Sequence, residues 1–307
     1  PGRVRPASAQ EHRRIVLPTV LRADLPHTDE PQRILLVRVD GQPLDLVQLT
    51  RHWSAARTYT TGIIIAGFNA FYGMFMRGVE AAAVDDPSLY LICDAKDSNE
   101  LARRYFEQLV ARHVDGIIVV SLRVESAGGV VPLVHADMPD AEGPSAYLDL
   151  EEGSERAVRH MIDQHGHRQI ALIAPPREWP NVGQVYRGYE RALQSGGLDV
   201  RSDFMVTVPD FKTASGYEAL EKILSLSPLP TALLAGDDNL ALGILRAAKE
   251  RGLRVPNDLA VIGINDLEFA AVVDPPLTTL MLPAHELGFC AMPMLRQLRQ
   301  GDLREAP

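Results

Sequence analysis

Short apolar runs alternate with amphipathic segments along most of the chain, from Thr61 onward, and this pattern constrains the fold more than any other feature. Apolar runs without polar interruption are typical of strands that are buried on both faces, as in a parallel sheet. Between them, stripes such as Phe75, Val79 and Ala82 have the spacing of one helix face. The runs cover residues 62–66, 89–93, 116–120, 131–135, 170–174, 204–208, 232–235 and 259–264. Repeated strand–helix–strand units predict an α/β, doubly wound fold.

The chain length favours two lobes over one wide sheet, since 307 residues are about twice the usual size of a single domain. The stretch 143–153 contains Pro144, two glycines and three acidic residues, and is our candidate crossing between the lobes. Ligands of such folds bind at the carboxyl ends of the strands, so we expect a cleft between the lobes. The predicted parts are an atypical N-terminal segment 1–57, a first lobe 58–147, a second lobe 148–280 and a C-terminal segment 281–307 that returns to the first lobe.

The charge is unevenly distributed along the chain. Residues 1–57 contain nine Arg and six Asp or Glu, a net charge of +3, whereas the remaining 22 basic and 34 acidic residues give −12. A DNA-binding surface needs clustered Lys and Arg to displace counterions from phosphates. We therefore expect that the main body does not bind nucleic acid by itself, and that any contact with DNA comes from residues 1–57.

The sequence predicts a cytoplasmic protein without a membrane contact. No apolar run approaches the roughly 18 to 20 residues of a membrane-spanning helix, and the basic start of the chain is not followed by the apolar region of a secretory signal. The two cysteines, Cys93 and Cys290, lie in apolar stretches. They are expected to be buried free thiols rather than disulfide partners or zinc ligands.

Signature motifs of common enzymes are absent from the sequence. It contains no dinucleotide-binding glycine motif after a strand, no P-loop, no serine-hydrolase elbow and no H-E-x-x-H. His165 and His167 could form a metal pair, but Gly166 between them is better explained as the left-handed cap that ends a helix. We therefore predict no cofactor, no metal site and no catalytic residues.

Several separate blocks match one known family in order and spacing over about residues 58–300. They are TYTTGIIIAGFNAFYGMFMRGVEAAA (58–83), HVDGIIVVS (113–121), GHRQIALI (166–173), AGDDNLALGILRAAKERGLRVPNDLAVIGIND (235–266) and DPPLTTL (274–280). Together they resemble the effector-binding core of the lactose/galactose repressor (LacI/GalR) family. The resemblance implies two Rossmann-like lobes of the periplasmic-binding-protein type I, a small effector in the cleft and a homodimer. The effector would be a sugar, a polyol or a nucleoside-like molecule, whose binding changes the affinity for operator DNA.

The resemblance also implies ligand-binding roles for the loop after the first strand. Asn69, Phe71 and Tyr72 match the family's Asn-Pro-Phe-Phe loop, with Ala70 in place of proline. Aromatic rings in that loop can stack on the apolar face of a sugar, while the amide hydrogen-bonds hydroxyl groups. The alternative is that Phe71 and Tyr72 only cap the core.

Four further positions match family residues that contact ligand. Asp137 matches the strand-end Asp, whose carboxylate can accept two hydroxyl hydrogen bonds, although a solvated loop Asp is the alternative. Phe211 matches the aromatic residue between a strand and the next helix, with a surface position as the alternative. Asp237 and Asn265 stand where the family commonly has Asn and Asp, so the hydrogen-bond acceptor and donor would have exchanged lobes.

One departure from the family concerns the charge of the ligand. The family's arginine three residues before a Gly-Tyr pair falls here on Val185. Arg187 is close in sequence, but two positions along a helix rotate it by about 200°. Loss of this bidentate cation disfavours an anionic ligand or a typical hexose. The sequence therefore predicts an uncharged or cationic ligand.

Residues 1–57 do not resemble the helix-turn-helix with which family members begin. Five prolines precede Gln32, and residues 34–39 have a strand-like pattern. A short helix at 44–54 would carry Arg51 and Trp53, which are weak candidates for DNA contact; the alternative is a surface helix packed on the body. The sequence favours a ligand-responsive transcriptional regulator whose DNA-binding head is absent or atypical. The alternative function is a solute-binding or sensory protein of the same fold.

The two ends of the sequence resemble one continuous family segment in exchanged order. Family members continue from the last helix through a spacer into a strand similar to Arg-Val-Val-Leu-Pro-Thr-Glu-Leu, whereas this sequence ends within the spacer, at 301–307. The segment RRIVLPTVLR, at 13–22, is similar to that strand. We hypothesise that residues 14–21 supply the final strand of the second lobe as an edge strand, where Pro18 is tolerable. The alternative is coincidence, because this kind of strand opening is common.

Overall fold

The computed structural model describes residues 14–16, 19–22, 37–39, 42–44, 58–84, 86–125 and 131–301. Within these residues the chain forms two six-stranded sheets and a two-stranded pair. Helices cover the sheets, so the molecule has two doubly wound α/β lobes, which confirms the predicted fold class. The two-stranded pair consists of β3 (Val37–Val39) and β4 (Gln42–Leu44), which run antiparallel.

The first lobe is built on a sheet with the strand order β2-β9-β8-β7-β5-β6. All of its described pairings are parallel except that between β2 and β9. Its strands are β2 (Thr19–Arg22), β5 (Thr60–Ile65), β6 (Leu89–Asp94), β7 (Gly116–Val120), β8 (Leu133–Ala136) and β9 (Ser145–Leu148). Its helices are α1 (Ala70–Ala82), α2 (Asn99–Ala111) and α7 (Ala284–Gln300).

The second lobe has a parallel sheet with the strand order β1-β14-β13-β12-β10-β11. Its strands are β1 (Arg14–Val16), β10 (Ile170–Ala174), β11 (Met205–Thr207), β12 (Ala232–Ala235), β13 (Ala260–Asn265) and β14 (Thr278–Met281). Its helices are α3 (Leu150–His165), α4 (Pro180–Ser195), α5 (Thr213–Leu224) and α6 (Asp238–Glu250). The chain enters this lobe directly after β9, so the stretch predicted as a crossing contains a strand and a helix start.

Most apolar runs form buried strands, and the exceptions lie at sheet edges, where β11 is partly and β6 largely exposed. Residues of β7, β8, β10 and β12 are buried throughout, as expected for strands covered on both faces. The prediction of two buried faces is wrong for β6, where Leu89 is 74% exposed and Leu91 and Ile92 are about 40% exposed. The reason is that β6 pairs only with β5 and ends the sheet.

The N-terminal strands connect to both lobes. Arg14 to Val16 pair with Thr279 to Met281 of β14 in the second lobe. Thr19 to Arg22 pair with Ser145 to Leu148 of β9 in the first lobe. A segment of nine residues thus adds one strand to each sheet, and its relation to the family's final strand stays a prediction.

Helices α1 and α7 cross at two glycines. A Cβ atom added to Gly78 would overlap the backbone carbonyl of His285, and one added to Gly288 would overlap the carbonyl of Phe75. Both obstacles are backbone atoms, which cannot turn away as a flexible side chain would. The close packing of the C-terminal helix on the first lobe therefore requires glycine at these positions.

We expect Gly78→Ala to lower the free energy of unfolding by roughly 1–3 kcal/mol, because the helices must separate to admit the methyl group. Gly73→Ala is the matched control on the same helix, since no heavy atom lies within 4 Å of a Cβ there. That substitution should stabilise the protein slightly, through better helix propensity. Equal effects of the two substitutions in urea unfolding would contradict the packing argument.

Candidate ligand-binding cleft

A cavity of about 670 Å³ lies between the two lobes, at the carboxyl ends of their parallel strands. Its size is within the range of small-molecule sites. All seven residues that the sequence predicts for ligand binding line it, although their contact with a ligand stays a prediction. They are Asn69, Phe71, Tyr72, Asp137, Phe211, Asp237 and Asn265.

The first-lobe wall begins with the start of helix α1. Asn69 is the N-cap residue of this helix, and its side-chain oxygen accepts a hydrogen bond from the backbone N–H of Tyr72 at 3.3 Å. The rings of Phe71 and Tyr72 meet edge to face at 5.3 Å, and both are 7% exposed. Burial raises the pKa of the Tyr72 hydroxyl far above its usual range. The two rings therefore belong to the core and also line the cavity.

Asp137 is a buried carboxylate directly after strand β8. Its Oδ2 accepts a hydrogen bond from the Ser121 hydroxyl at 2.8 Å, whereas Oδ1 has no hydrogen-bond partner within the described part of the chain. Burial raises the pKa of Asp137 to about 6, and the Ser121 hydroxyl and the Asn181 amide only partly oppose that rise. A buried carboxylate oxygen without a partner is energetically unfavourable. It therefore marks a place where a donor from a ligand would be stabilised.

Two aromatic residues form part of the second-lobe wall. The rings of Trp179 and Phe211 are 5.9 Å apart in an edge-to-face arrangement. Trp179 precedes α4, and Phe211 lies in the loop between β11 and α5. Such a pair offers an apolar surface on which a planar ring or a sugar face can stack.

Asp237 and Asn265 form a hydrogen-bonded pair on the second lobe. The Nδ2 of Asn265 donates to Oδ2 of Asp237, while Oδ1 of Asp237 accepts from the backbone N–H and the side chain of Asn239 at 2.6 and 2.8 Å. Burial raises the pKa of Asp237 to about 6 despite these donors. The expectation that acceptor and donor had exchanged lobes is wrong, because Asp237 follows β12 and Asn265 ends its neighbour β13.

Carboxylates outnumber cationic side chains in the lining. Lys212 is the one Lys or Arg among the described lining residues, and its Nζ lies 2.5 Å from Oδ2 of Asp210. Together with the Ser215 hydroxyl, Lys212 lowers the pKa of Asp210 to about 2. Asp97, on the first lobe, has a raised pKa because of burial and because of the nearby carboxylates of Asp94 and Asp210. The five lining carboxylates are Asp97, Asp137, Glu178, Asp210 and Asp237.

The position of the family's arginine carries no charge. Val185 is buried and lines the cavity. Arg187 points elsewhere, as its helical position predicts, and its Nε lies 2.7 Å from Oε2 of Glu151. Arg177, in the loop before α4, is bound to Glu190 at 2.6 Å.

Several lining residues escaped the sequence analysis. Phe68, 73% exposed, lies three residues after the end of β5, and Glu178 and Trp179 occupy the loop between β10 and α4. The available signal was Pro180 at the first helical turn, which marks Trp179 as the last residue of a strand-end loop. The further polar lining residues that were missed include Asp97, Asn99, Ser121, Asn181, Asp210, Lys212 and Asn239.

The remaining sequence predictions concern a helix cap, a metal pair, the two cysteines and the candidates for DNA contact. Gly166 adopts the left-handed conformation that ends α3, which confirms the cap. His167 is hydrogen-bonded to Thr231 at 2.9 Å, and the described residues contain no cluster of three or more metal-binding side chains. Cys93 and Cys290 are free thiols, but they are only half-buried, not buried as expected. Arg51 and Trp53 lie outside the described residues.

None of the helices in the described residues combines the length and the apolar character that a bilayer span requires.

Two lobes with a polar cleft at their strand ends define a small-molecule-binding protein of the periplasmic-binding-protein type. A family model described as a periplasmic binding protein-like domain matches residues 158–307. The chain is 34% identical over 257 residues to catabolite control protein A of Priestia megaterium, covering 80% of this chain and 77% of that protein. It is 32% identical over 240 residues to the HTH-type transcriptional repressor CytR of Escherichia coli, covering 76% and 70%.

Solved structures agree with this grouping. A LacI family transcriptional regulator from Mycobacterium smegmatis has a TM-score of 0.69 at 28% identity, covering 78% of this chain and 91% of that one. The transcriptional regulator CelR in complex with cellobiose has a TM-score of 0.73 at 26% identity, covering 81% and 80%. The chain belongs to the lactose/galactose repressor (LacI/GalR) family and carries its effector-binding core.

Proposed function

We propose that this chain is a ligand-responsive transcriptional regulator that binds a small, hydroxyl-rich effector in the interlobe cleft. The effector class comprises sugars, polyols and nucleoside-like molecules. The observation that carries the proposal is Asp137, a buried residue of the cavity lining with one carboxylate oxygen unpartnered in the described structure. The relatives are transcriptional regulators, which favours this function over solute capture.

The response would come from the placement of site residues on both lobes. Asp137 and Ser121 lie on the first lobe, and Trp179, Phe211 and Asn265 lie on the second. A ligand that contacts both walls stabilises the lobe arrangement in which those contacts form together. In a regulator of this family, that shift changes the affinity for operator DNA.

A homodimer is the second part of the proposal. Strand β6 leaves Leu89, Leu91 and Ile92 partly exposed at the edge of the first lobe. Val84, 83% exposed, precedes the same strand. A large apolar patch on a protein surface commonly marks an interface with another protein.

A thermal-shift screen against sugars, nucleosides and polyols tests the effector role. A ligand at 100 times its dissociation constant should add about 2.7 kcal/mol to the free energy of unfolding. A rise in Tm with at least one member, confirmed by calorimetry, is the expected result. If no member of any of the three classes raises the Tm, the effector role as proposed is wrong.

At 150 mM salt we expect this chain to bind duplex DNA weakly or not at all. Residues 58–307 carry a net charge of −12, which repels phosphates, and residues 1–57 supply only +3. Fluorescence anisotropy with a labelled duplex at 50 and 150 mM salt measures both affinity and salt dependence. Nanomolar, sequence-specific binding would instead assign a DNA-reading element to residues 1–57.

A further inference from the structure

The charge balance of the cleft restricts the ligand more narrowly than its shape does. Five carboxylates line the cavity, against one ammonium group among the described residues, that of Lys212. Lys212 is already paired with Asp210. An anionic ligand would meet four further carboxylates in a partly desolvated site, where like charges repel more strongly than in water.

No guanidinium compensates for this imbalance in the described lining. The position of the family's arginine is the buried Val185. Arg187, Arg191 and Arg177 are the arginines nearest to it in sequence, and all three are bound to glutamates outside the lining. A phosphate or carboxylate on the ligand would therefore have no bidentate partner.

Asp137 favours a cationic ligand. Its side chain is 4% exposed, and only one of its two oxygens is satisfied, by the Ser121 hydroxyl at 2.8 Å. Asp137 is one of the residues that line the cavity, and its Oδ1 is buried without a hydrogen bond from the described residues. A cationic donor would satisfy this oxygen and neutralise the buried charge in one contact, whereas a hydroxyl group would do only the first.

Carboxylates also face each other across the cleft. Asp97 on the first lobe is close enough to Asp210 on the second for the Asp210 charge to disfavour ionisation of Asp97. Such like charges oppose the approach of the two lobes. A cation held between the walls would reduce that repulsion and favour closure.

We infer that the effector which the proposed function places in this cleft carries a protonated amine, held at Asp137, on a hydroxyl-bearing ring. The inference rests on the proposed function and specifies its ligand class as amino sugars and similar aminated ring compounds. The ring lies against the aromatic pair Trp179 and Phe211. Phosphorylated and carboxylated analogues are excluded by the same charges.

Matched probes test the inference. Glucose, glucosamine and glucose 6-phosphate form one set, and galactose, galactosamine and galactose 6-phosphate form a second, each titrated by calorimetry at pH 7 and 150 mM salt. In at least one set we expect the amine to bind tenfold or more tightly than the neutral sugar, and the phosphate to show no binding. Tighter binding of a neutral or phosphorylated member would contradict the inference that the effector carries an amine, but it would leave the effector role intact. No binding by any probe would overturn the amine assignment, while the wider thermal-shift screen decides the effector role separately.

Two variants test which residues determine the preference for an amine over a neutral sugar or a phosphate. Asp137→Asn should reduce the amine-to-neutral affinity ratio to about one, and Val185→Arg should shift preference toward the phosphate. Asp258→Asn is the control, since Asp258 binds Arg254 at 2.7 Å on the surface and should leave the ratio unchanged. The Tm of each variant without ligand verifies folding. An unchanged ratio in both folded cleft variants would overturn the assignment to Asp137.

The pH dependence of amine binding distinguishes an ion pair at Asp137 from a purely structural role of this residue. Burial raises the pKa of Asp137 to about 6, so its charge is largely present at pH 7 and largely lost at pH 5. The other charged or titratable groups that line the cavity are Tyr72, Asp97, Glu178, Asp210, Asp237 and Lys212. Amine affinity should fall about tenfold between pH 7 and pH 5, because an aliphatic amine stays protonated over that range. The affinity of the neutral sugar should change less, and equal changes would contradict the ion pair.

Discussion

Asp137→Ala is expected to abolish the ligand-induced rise in Tm while leaving the Tm of the ligand-free protein nearly unchanged. The carboxylate contributes little to the fold, because its polar contacts among the described residues are limited to the Ser121 hydroxyl and the Asn181 amide, and Oδ1 has no hydrogen bond there. Removal of a buried, incompletely satisfied charge relieves desolvation and offsets the lost contact. Thermal unfolding with and without the best ligand of the screen measures both quantities.

Asp238 provides a contrast one residue away from the cleft. Its Oδ1 accepts from the Thr279 hydroxyl and its Oδ2 from the Leu267 N–H, each at 2.7 Å, and it does not line the cavity. Asp238→Ala leaves two buried donors unpaired and should lower the free energy of unfolding by about 2–4 kcal/mol. Ligand should still raise the Tm of this variant. A large loss of ligand-free stability in Asp137→Ala, comparable to that of Asp238→Ala, would make Asp137 a structural residue instead.

The location of the cavity could be predicted from the sequence because all strands of a parallel sheet end at the same edge. Asp137 after β8 and Asp237 after β12 had to lie at strand ends whatever the order of the strands. The apolar runs that identify those strands are continuous and short, which is why the fold class could be predicted as well.

Contacts that depend on strand order could not be predicted in the same way. Asp237 and Asn265 meet because β12 and β13 are neighbours, with Leu234 opposite Ile262. Nothing in either apolar run specifies that neighbour. The exposure of β6 has the same origin, since its edge position follows from the topology and not from its composition.

Cavity-lining residues in the strand-end loops could not be predicted from the sequence either. Phe68 and Trp179 line the cavity, but an aromatic residue in a loop carries no periodic signal that separates a ligand wall from a surface position. The seven predicted positions came from matches to family motifs. Trp179 and Phe68 had no such match, and their role followed only from the position of their loops beside the cleft.

Deleting residues 1–24 is expected to lower the Tm by about 10 °C or more and to cause aggregation. The deletion removes β1 and β2, which pair through three and four residues with β14 and β9. Loss of these hydrogen bonds, at about 1 kcal/mol each, corresponds to a Tm shift of that size in a chain of this length. It also leaves one unpaired sheet edge on each lobe, which is a template for association between molecules.

Deleting only residues 1–12 is the matched control, because both strands remain. Light scattering during thermal unfolding should then show aggregation for the longer deletion and little change for the shorter one. A longer deletion that stays soluble, with unchanged Tm and ligand response, would make the N-terminal segment an appendage and end the hypothesis that residues 13–22 replace the family's final strand in permuted order. The expected result would instead support it, since a strand that completes both sheets holds the two lobes that enclose the ligand.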